Sequence, residues 1–89
     1  LLQNFPNPFN PETTIKYNLA DAASVQLRIY NVVGQVVRTL VTEPQNAGRY
    51  TVRWNGTDDR GVAVSSGIYF YQLTAGGQFQ DVRKLMLLK

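Results

Sequence analysis

The chain has 89 residues, a formal net charge of +3, no cysteine and no histidine. Histidine is the usual general base and the commonest zinc ligand, while cysteine supplies thiolates and disulfides, so the composition argues against most catalytic and zinc chemistry. The nine basic residues are scattered, apart from three that gather near residue 89, which does not indicate a nucleic-acid interface. No run approaches the ~18 apolar residues of a membrane span.

A proline-rich lead-in over residues 1–11 opens the chain and contains Pro6, Pro8 and Pro11. Each proline fixes its own φ and pushes the preceding residue toward extended geometry. We therefore expect an extended lead-in that runs into one domain over residues 12–89; a ligand for a proline-reading groove is the alternative. Because the chain begins at Leu1 without a methionine or a basic leader, we expect it to be a piece of a longer protein, with any secretion signal upstream.

Short runs of alternating polar and apolar residues follow, as in half-buried strands. The run 68–73 begins apolar on both faces, which indicates a central strand. The run 36–41 has apolar residues on both phases, and the run 79–88 changes phase near Asp81–Lys84, which suggests a β-bulge. The runs cover residues 14–19, 24–29, 36–41, 49–54, 68–73 and 79–88.

The connections between these runs carry turn residues. Asn31 and Gly34 occupy the first and fourth positions that a type I turn prefers, and glycines punctuate the other joints. Short strands at this spacing predict an all-β fold, an immunoglobulin-like antiparallel β-sandwich of about seven strands.

One acidic cluster, Asp58 and Asp59, lies in a predicted turn. Calcium binding there is conceivable, but the spacing does not match an EF-hand, and hydrogen bonds to the turn backbone fit these residues better. Adjacent carboxylates in a tight turn usually diverge, and no base is present to activate Ser65 or Ser66. We therefore expect no enzymatic activity, no metal and no cofactor.

Two further features have alternative interpretations. Trp54 and the aromatic run 69–71 are candidates for a sugar-binding platform, although a domain without disulfides needs such side chains for its core. The basic residues Arg83, Lys84 and Lys89 gather at one end, where they either dock a partner or place solvated charge on an edge strand.

The order of motifs along the chain resembles that of the type A C-terminal sorting domain of the type IX secretion system. Each motif is weak alone, but the order is specific and covers essentially the whole chain. The motifs are Asn7-Pro8-Phe9-Asn10-Pro11 with Thr14-Ile15, then Ile29–Val37, Ala47–Gly56, Ser66–Tyr71 and finally Lys84.

This resemblance implies a non-catalytic module that directs an exported bacterial protein through the outer-membrane translocon to cell-surface attachment. The implied partners are the outer-membrane secretion machinery, a sortase-like peptidase and the upstream passenger. The implied location is secreted or at the cell surface, reached through the periplasm. We expect no nucleic-acid binding, no membrane insertion, and a monomer in isolation. The family's marker residues fall by motif match on Pro8, Ile15, Gly34, Val37 and Lys84.

The strand pattern is also similar to the immunoglobulin-like domain of flagellar hook-capping scaffold proteins. The turn around Asp58–Gly61 and the start of the run at Ser66 carry that likeness. A structural or assembly role is therefore one alternative, and a carbohydrate-binding accessory module of a secreted enzyme is another.

Overall fold

The computed structural model describes residues 1–9, 11–77 and 79–88, and within them the chain forms six β-strands. Every run identified from alternation is a strand, and the count is close to the predicted seven. The predicted all-β sandwich is confirmed. The strands are β1 (Thr13–Leu19), β2 (Ala23–Tyr30), β3 (Val36–Gln45), β4 (Gly48–Trp54), β5 (Gly67–Ala75) and β6 (Phe79–Leu87).

The strands form two antiparallel sheets. The small sheet pairs β1 with β4, and the large sheet has the order β3-β2-β5-β6. β5 lies between β2 and β6, which confirms the central position predicted from its apolar start. β3 and β6 are therefore the edges of the large sheet.

The core lies between the facing sheets. Period-two alternation points one phase of each strand inward, and these inward residues are almost all apolar. Trp54 is fully buried at the centre of an aromatic cluster, with ring centroids 5.5 Å from Phe9 and 5.6 Å from Tyr69. The inward set comprises Ile15, Tyr17, Leu19, Val25, Leu27, Ile29, Val41, Trp54, Tyr69, Tyr71, Leu73, Leu85 and Leu87.

Two irregularities in the β2–β3 pairing explain why β3 has apolar residues on both phases. The register shifts between Leu27 and Arg28 and again between Ile29 and Tyr30. The residues that β3 inserts at these shifts are Leu40 and Val37, and both pack against the core. An inserted residue changes which phase faces inward, so the mixed pattern follows directly.

The bulge predicted in β6 near Asp81–Lys84 is wrong. β5 and β6 pair in one continuous register from Gly67 opposite Leu87 to Ala75 opposite Phe79. Asp81 and Arg83 share the inward phase with Leu85, but they lie at the rim of the sandwich, where they form an ion pair 3.7 Å long. Charged residues at inward positions break the apolar pattern of the sequence, which suggested a bulge, but the strand alternates without interruption.

Among the residues described, no helix is long and apolar enough to cross a membrane.

Candidate recognition surface

The lead-in begins by extending the small sheet along β1. The Leu2 amide donates to the Lys16 carbonyl over 2.9 Å. Phe5 and Thr14 exchange both backbone hydrogen bonds, at 3.0 and 2.9 Å. The first part of the lead-in is therefore hydrogen-bonded to the sandwich rather than projecting from it, and the chain then bends over residues 6–8.

A buried polar node around Asn4 fixes the lead-in between the sheets. Asn4 is only 3% exposed, and its side-chain amide donates to the Thr13 hydroxyl over 2.9 Å. Its backbone N–H donates to the Tyr71 hydroxyl over 2.8 Å, and that hydroxyl donates to the Leu2 carbonyl, also over 2.8 Å. Burial raises the pKa of Tyr71, so the phenol stays protonated and can donate at neutral pH.

The lead-in then crosses to the edge of β6. The Phe9 amide donates to the Met86 carbonyl over 3.0 Å, and the Phe9 carbonyl accepts from the Leu88 amide over 2.9 Å. The Asn7 side-chain oxygen accepts from the Met86 amide over 2.9 Å, and the Gln3 amide donates to the Lys84 carbonyl over 2.8 Å. The lead-in thus joins the small sheet to the last strand of the large one, through Phe9 in the core.

The five marker positions fall into two groups in the structure. Ile15 is fully buried and Val37 packs against the core, so both positions support the fold. Gly34 lies in the β2–β3 turn with φ +85°, where its amide donates to the Asn31 carbonyl as the turn prediction requires. Pro8 and Lys84 are exposed and lie along the same edge of the large sheet. The structure does not gather all five into one site, and Asn10 and Lys89, which belong to the motif and the basic end, lie outside the described residues.

The outward face of the large sheet is a second surface, which sequence reasoning did not single out. Register places Tyr30, Phe70 and Lys84 in one row across three strands, with Ile68 opposite Met86 beside it. Ile68 and Val82 are well exposed there. The signal was present in the sequence, because a strand that is apolar on both phases must present one phase away from the core.

This outward face is cationic as well as apolar. The side chains of Arg28 and Lys84 lie on this face, and no acidic side chain of the described strands does. Four arginines form ion pairs elsewhere, but within residues 1–9, 11–77 and 79–88 neither Arg28 nor Lys84 has an ion-pair partner. The Arg28 Nε is buried and has no hydrogen-bond acceptor in the same part of the chain.

A family comparison identifies the domain type. Residues 10–78, well over half of the chain, match the model of the FlgD Ig-like domain. The chain belongs to the FlgD Ig-like domain family. The comparison with curated proteins returns no match.

Solved structures share this FlgD-type fold at low sequence identity. Dimeric latent PorU of Porphyromonas gingivalis aligns with a TM-score of 0.72 at 20% identity, over 97% of this chain and 9% of that one. PorZ, an essential surface component of the type IX secretion system of the same organism, aligns at 0.68 and 18% identity, over 98% and 11%. FlgD of Xanthomonas campestris, a hook-capping protein, aligns at 0.65 and 22%, over 90% and 58%. The chain therefore spans less than two thirds of each of these proteins.

The acidic turn of this FlgD-type domain is occupied by internal hydrogen bonds. Asp58 accepts from the amides of Arg60 and Val62 and forms an ion pair with the Arg60 side chain. The bond from Val62, followed by the contacts with Arg60, lowers the pKa of Asp58. Asp59 accepts from the Thr39 amide over 2.9 Å and so fastens the turn to β3. Asp58 behaves as predicted, whereas Asp59 bonds to a neighbouring strand; within the described ranges no three potential metal ligands are grouped.

Of the aromatic candidates for a sugar platform, all but Phe70 are core residues, and Phe70 is half-buried on the outward face. Trp54 is fully buried and its indole N–H donates to the Thr57 carbonyl over 2.8 Å, while Tyr69 and Tyr71 are also buried. Tyr50 is half-buried and stacks on Tyr17 with ring centroids 5.3 Å apart. A sugar platform built on Trp54 is therefore unavailable, because stacking on a sugar ring requires an exposed face.

Proposed function

We propose that this FlgD-type domain is a non-catalytic C-terminal sorting module of a secreted bacterial protein. It would direct an upstream passenger through the type IX outer-membrane translocon to the cell surface. The outer-membrane secretion machinery would recognise the folded domain, and a sortase-like peptidase would cleave between the passenger and this domain. The domain itself performs no chemistry in this proposal.

The observation that carries the proposal is the junction of the lead-in with β6. The motif segment around Pro8 is hydrogen-bonded to the same strand that presents Lys84, so two exposed marker residues share one edge of the sandwich. A signal that is read only after folding needs such an arrangement, because residues far apart in sequence meet only in the folded domain. The occurrence of this fold in PorZ, a surface component of a type IX system, is consistent with that role.

The division of the marker residues suggests which of them a receptor would contact. Ile15 and Val37 are covered by other side chains, so changes there would act through stability. Lys84 has a free ammonium group within the described residues and stands on an apolar, cationic face. Recognition residues on a rigid scaffold lie where side chains can change without loss of the core.

A reporter fusion tests the proposal. Residues 1–89 would be placed behind a signal peptide and a fluorescent protein and expressed with and without a working type IX translocon. We expect surface delivery only with the translocon. Retention in the periplasm of both strains would reject the sorting role.

The signal itself is best mapped by point variants, because deleting residues 79–89 would remove the buried Leu85 and Leu87 and unfold the domain. We expect Lys84→Glu to reduce surface delivery. The matched control is Lys16→Glu, which reverses an exposed charge on the small sheet. Equal effects of the two variants would show that net charge, and not the β6 surface, controls export.

A scaffold role in an assembly is the second candidate. The match to the FlgD Ig-like domain model over residues 10–78 favours it, because that family includes a hook-capping protein. In that case the reporter would stay independent of the translocon, and the domain would instead bind stably to neighbouring subunits of an extracellular structure.

A further inference from the structure

The exposed strand edges of the sandwich differ in how they are protected from pairing with another chain. The β3 edge is covered by the acidic turn, since the Asp59 amide donates to the Val37 carbonyl, and its far half contains Pro44. β4 carries Arg49 and Arg53 without an acidic residue, so two copies of β4 would repel each other. Proline, cover and like charge are the usual protections of a sheet edge.

The β6 edge is protected over only part of its length. The lead-in covers it at Met86 and Leu88 and reaches the Lys84 carbonyl through the Gln3 side chain. No backbone group of the described chain pairs with the outward groups of Gln80 and Val82. This half also contains no proline.

Alternation defines which groups of β6 point outward. The Met86 amide and carbonyl both bond to the lead-in, so the even-numbered residues face away from β5. The β5–β6 register is continuous, so the same orientation holds at Lys84, Val82 and Gln80. An added strand would therefore find regularly spaced donors and acceptors along this half of β6.

The sequence of this edge is complementary to itself. If two copies of β6 run antiparallel with Val82 opposite Val82, Asp81 of each copy faces Arg83 of the other, and Gln80 faces Lys84. Centring the pair on Asp81, Arg83 or Lys84 would instead oppose like charges. Centring it on Gln80 would oppose no pair of charges. Opposite charges across an antiparallel pair are stabilising and like charges are destabilising, so the register at Val82 is the most favourable of these.

We propose that β6 is a homotypic docking edge, which pairs with β6 of a second copy of this chain about a two-fold axis at Val82. The outward backbone groups of Gln80 and Val82 and the Lys84 amide supply the hydrogen bonds, since the Lys84 carbonyl already accepts from the Gln3 side chain. The exposed Val82 side chains, 49% accessible in one copy, pack together. The pairing cannot extend beyond Lys84, because the amide and carbonyl of Met86 are already bonded to the lead-in. The two large sheets become one continuous sheet.

This inference is independent of the sorting role, and it replaces the monomer expected from sequence with a weak dimer. Charge on a sheet edge opposes pairing when the opposed residues have the same sign. In the register at Val82, Asp81 and Arg83 instead attract each other across the two-fold axis. A contact this short buries less than the ~1,200 Å² of a standard interface, so association depends on concentration.

Sedimentation equilibrium of the 89-residue chain tests the proposal. The protein concentration should reach about 1 mM, because a weak dimer is populated only when the concentration approaches its dissociation constant. We expect Asp81→Arg alone and Arg83→Asp alone each to weaken dimerisation about tenfold. The exchange variant Asp81→Arg/Arg83→Asp restores it, because the same pairs form with their signs reversed. Circular dichroism and urea unfolding check that each variant remains folded.

Cross-linking fixes the register. Opposed residues in a hydrogen-bonded antiparallel pair have Cα atoms about 5.5 Å apart, which a disulfide can span. Val82→Cys should therefore form a disulfide dimer under oxidation, whereas Lys16→Cys on the small sheet should not. A monomer at every concentration would overturn the proposal. So would a dimer that ignores the charge variants, since it must use another surface.

Discussion

The two halves of β6 differ in nearly every physical respect although they form one continuous strand. In the second half, Leu85 and Leu87 are fully buried and the outer edge is covered by the lead-in. In the first half, Phe79 and Val82 are about half exposed, and the outer edge has no backbone partner among the described residues. The strand passes from core to surface within nine residues.

This difference separates what folding needs from what recognition can use. The covered half has little freedom to change, because Leu85 and Leu87 pack in the core and the backbone of Met86 is bonded to the lead-in. The open half can carry charge and unsatisfied edge groups at small cost to the fold. Both the proposed sorting surface around Lys84 and the proposed docking edge at Val82 lie in or border that open half.

The largest effect is expected from truncating the covered half. Leu85→Ala removes a buried side chain between the sheets and should lower the free energy of unfolding by about 2–5 kcal/mol. Val82→Ala, in the open half, should change it by no more than about 0.5 kcal/mol. Urea unfolding of both variants at low protein concentration gives the comparison. Similar losses for the two would mean that the halves are not energetically distinct.

The attachment of the lead-in, which covers the second half of β6, is tested by removing the Tyr71 hydroxyl. Tyr71→Phe takes away the acceptor of the buried Asn4 amide and the donor to the Leu2 carbonyl. An unsatisfied buried group costs about 1–3 kcal/mol, so stability should fall by that amount. Amide hydrogen exchange should also rise at Asn4 and Met86 as the lead-in loosens.

Tyr30→Phe is the control for that experiment. Tyr30 lies on the outward face and is only half-buried, and its hydroxyl makes no hydrogen bond with the described residues. Its removal should leave both stability and exchange nearly unchanged. If Tyr71→Phe behaved in the same way, the lead-in would be held by other contacts.

A smaller effect is expected at Gly34, away from β6. The residue has φ +85° and an added Cβ would meet no atom within 4 Å, so only backbone strain opposes a side chain. Gly34→Ala should therefore cost about 1–2 kcal/mol, and Gly34→Asn less, because asparagine tolerates this conformation. Thermal unfolding measures both. If surface delivery fails equally in both variants, Gly34 contributes to the signal itself rather than to stability.

Local patterns predicted most of the fold. Alternation and short apolar runs located all six strands of the described chain, and Ile15, Tyr17 and Leu19 face inward as their spacing requires. The turn at Asn31–Gly34 followed from residue preferences. These features depend on neighbours in sequence, which is why a single chain was sufficient to predict them.

Features that depend on distant partners were not predictable. Asn4 is buried through Tyr71, 67 residues away, and nothing in the polar lead-in indicates that contact. Asp81 and Arg83 suggested a bulge because charge was assumed to face solvent, whereas their ion pair at the rim keeps them in phase. The apolar start of β5 on both phases indicated an outward apolar face. Its cationic character becomes visible only when the strand register places Arg28 and Lys84 on that face.

The smallest expected effect is a decrease in stability at high pH, which tests whether the buried Tyr71 hydroxyl that holds the lead-in must stay protonated. Burial raises the pKa of Tyr71 and of Tyr17, with the hydrogen bonds from Asn4 and to Gln45 acting in the opposite direction. A raised pKa in the folded state means that the stabilisation is complete below the unfolded value of about 10 and is lost as pH rises through the folded value. Urea unfolding at about pH 8, 10 and 11 should therefore show falling stability at the alkaline end. Tyr71→Phe should flatten that fall only in part, because Tyr17 still titrates, and the double variant Tyr17→Phe/Tyr71→Phe should flatten it further. An unchanged slope in the double variant would show that neither phenol is the group whose ionisation destabilises the domain.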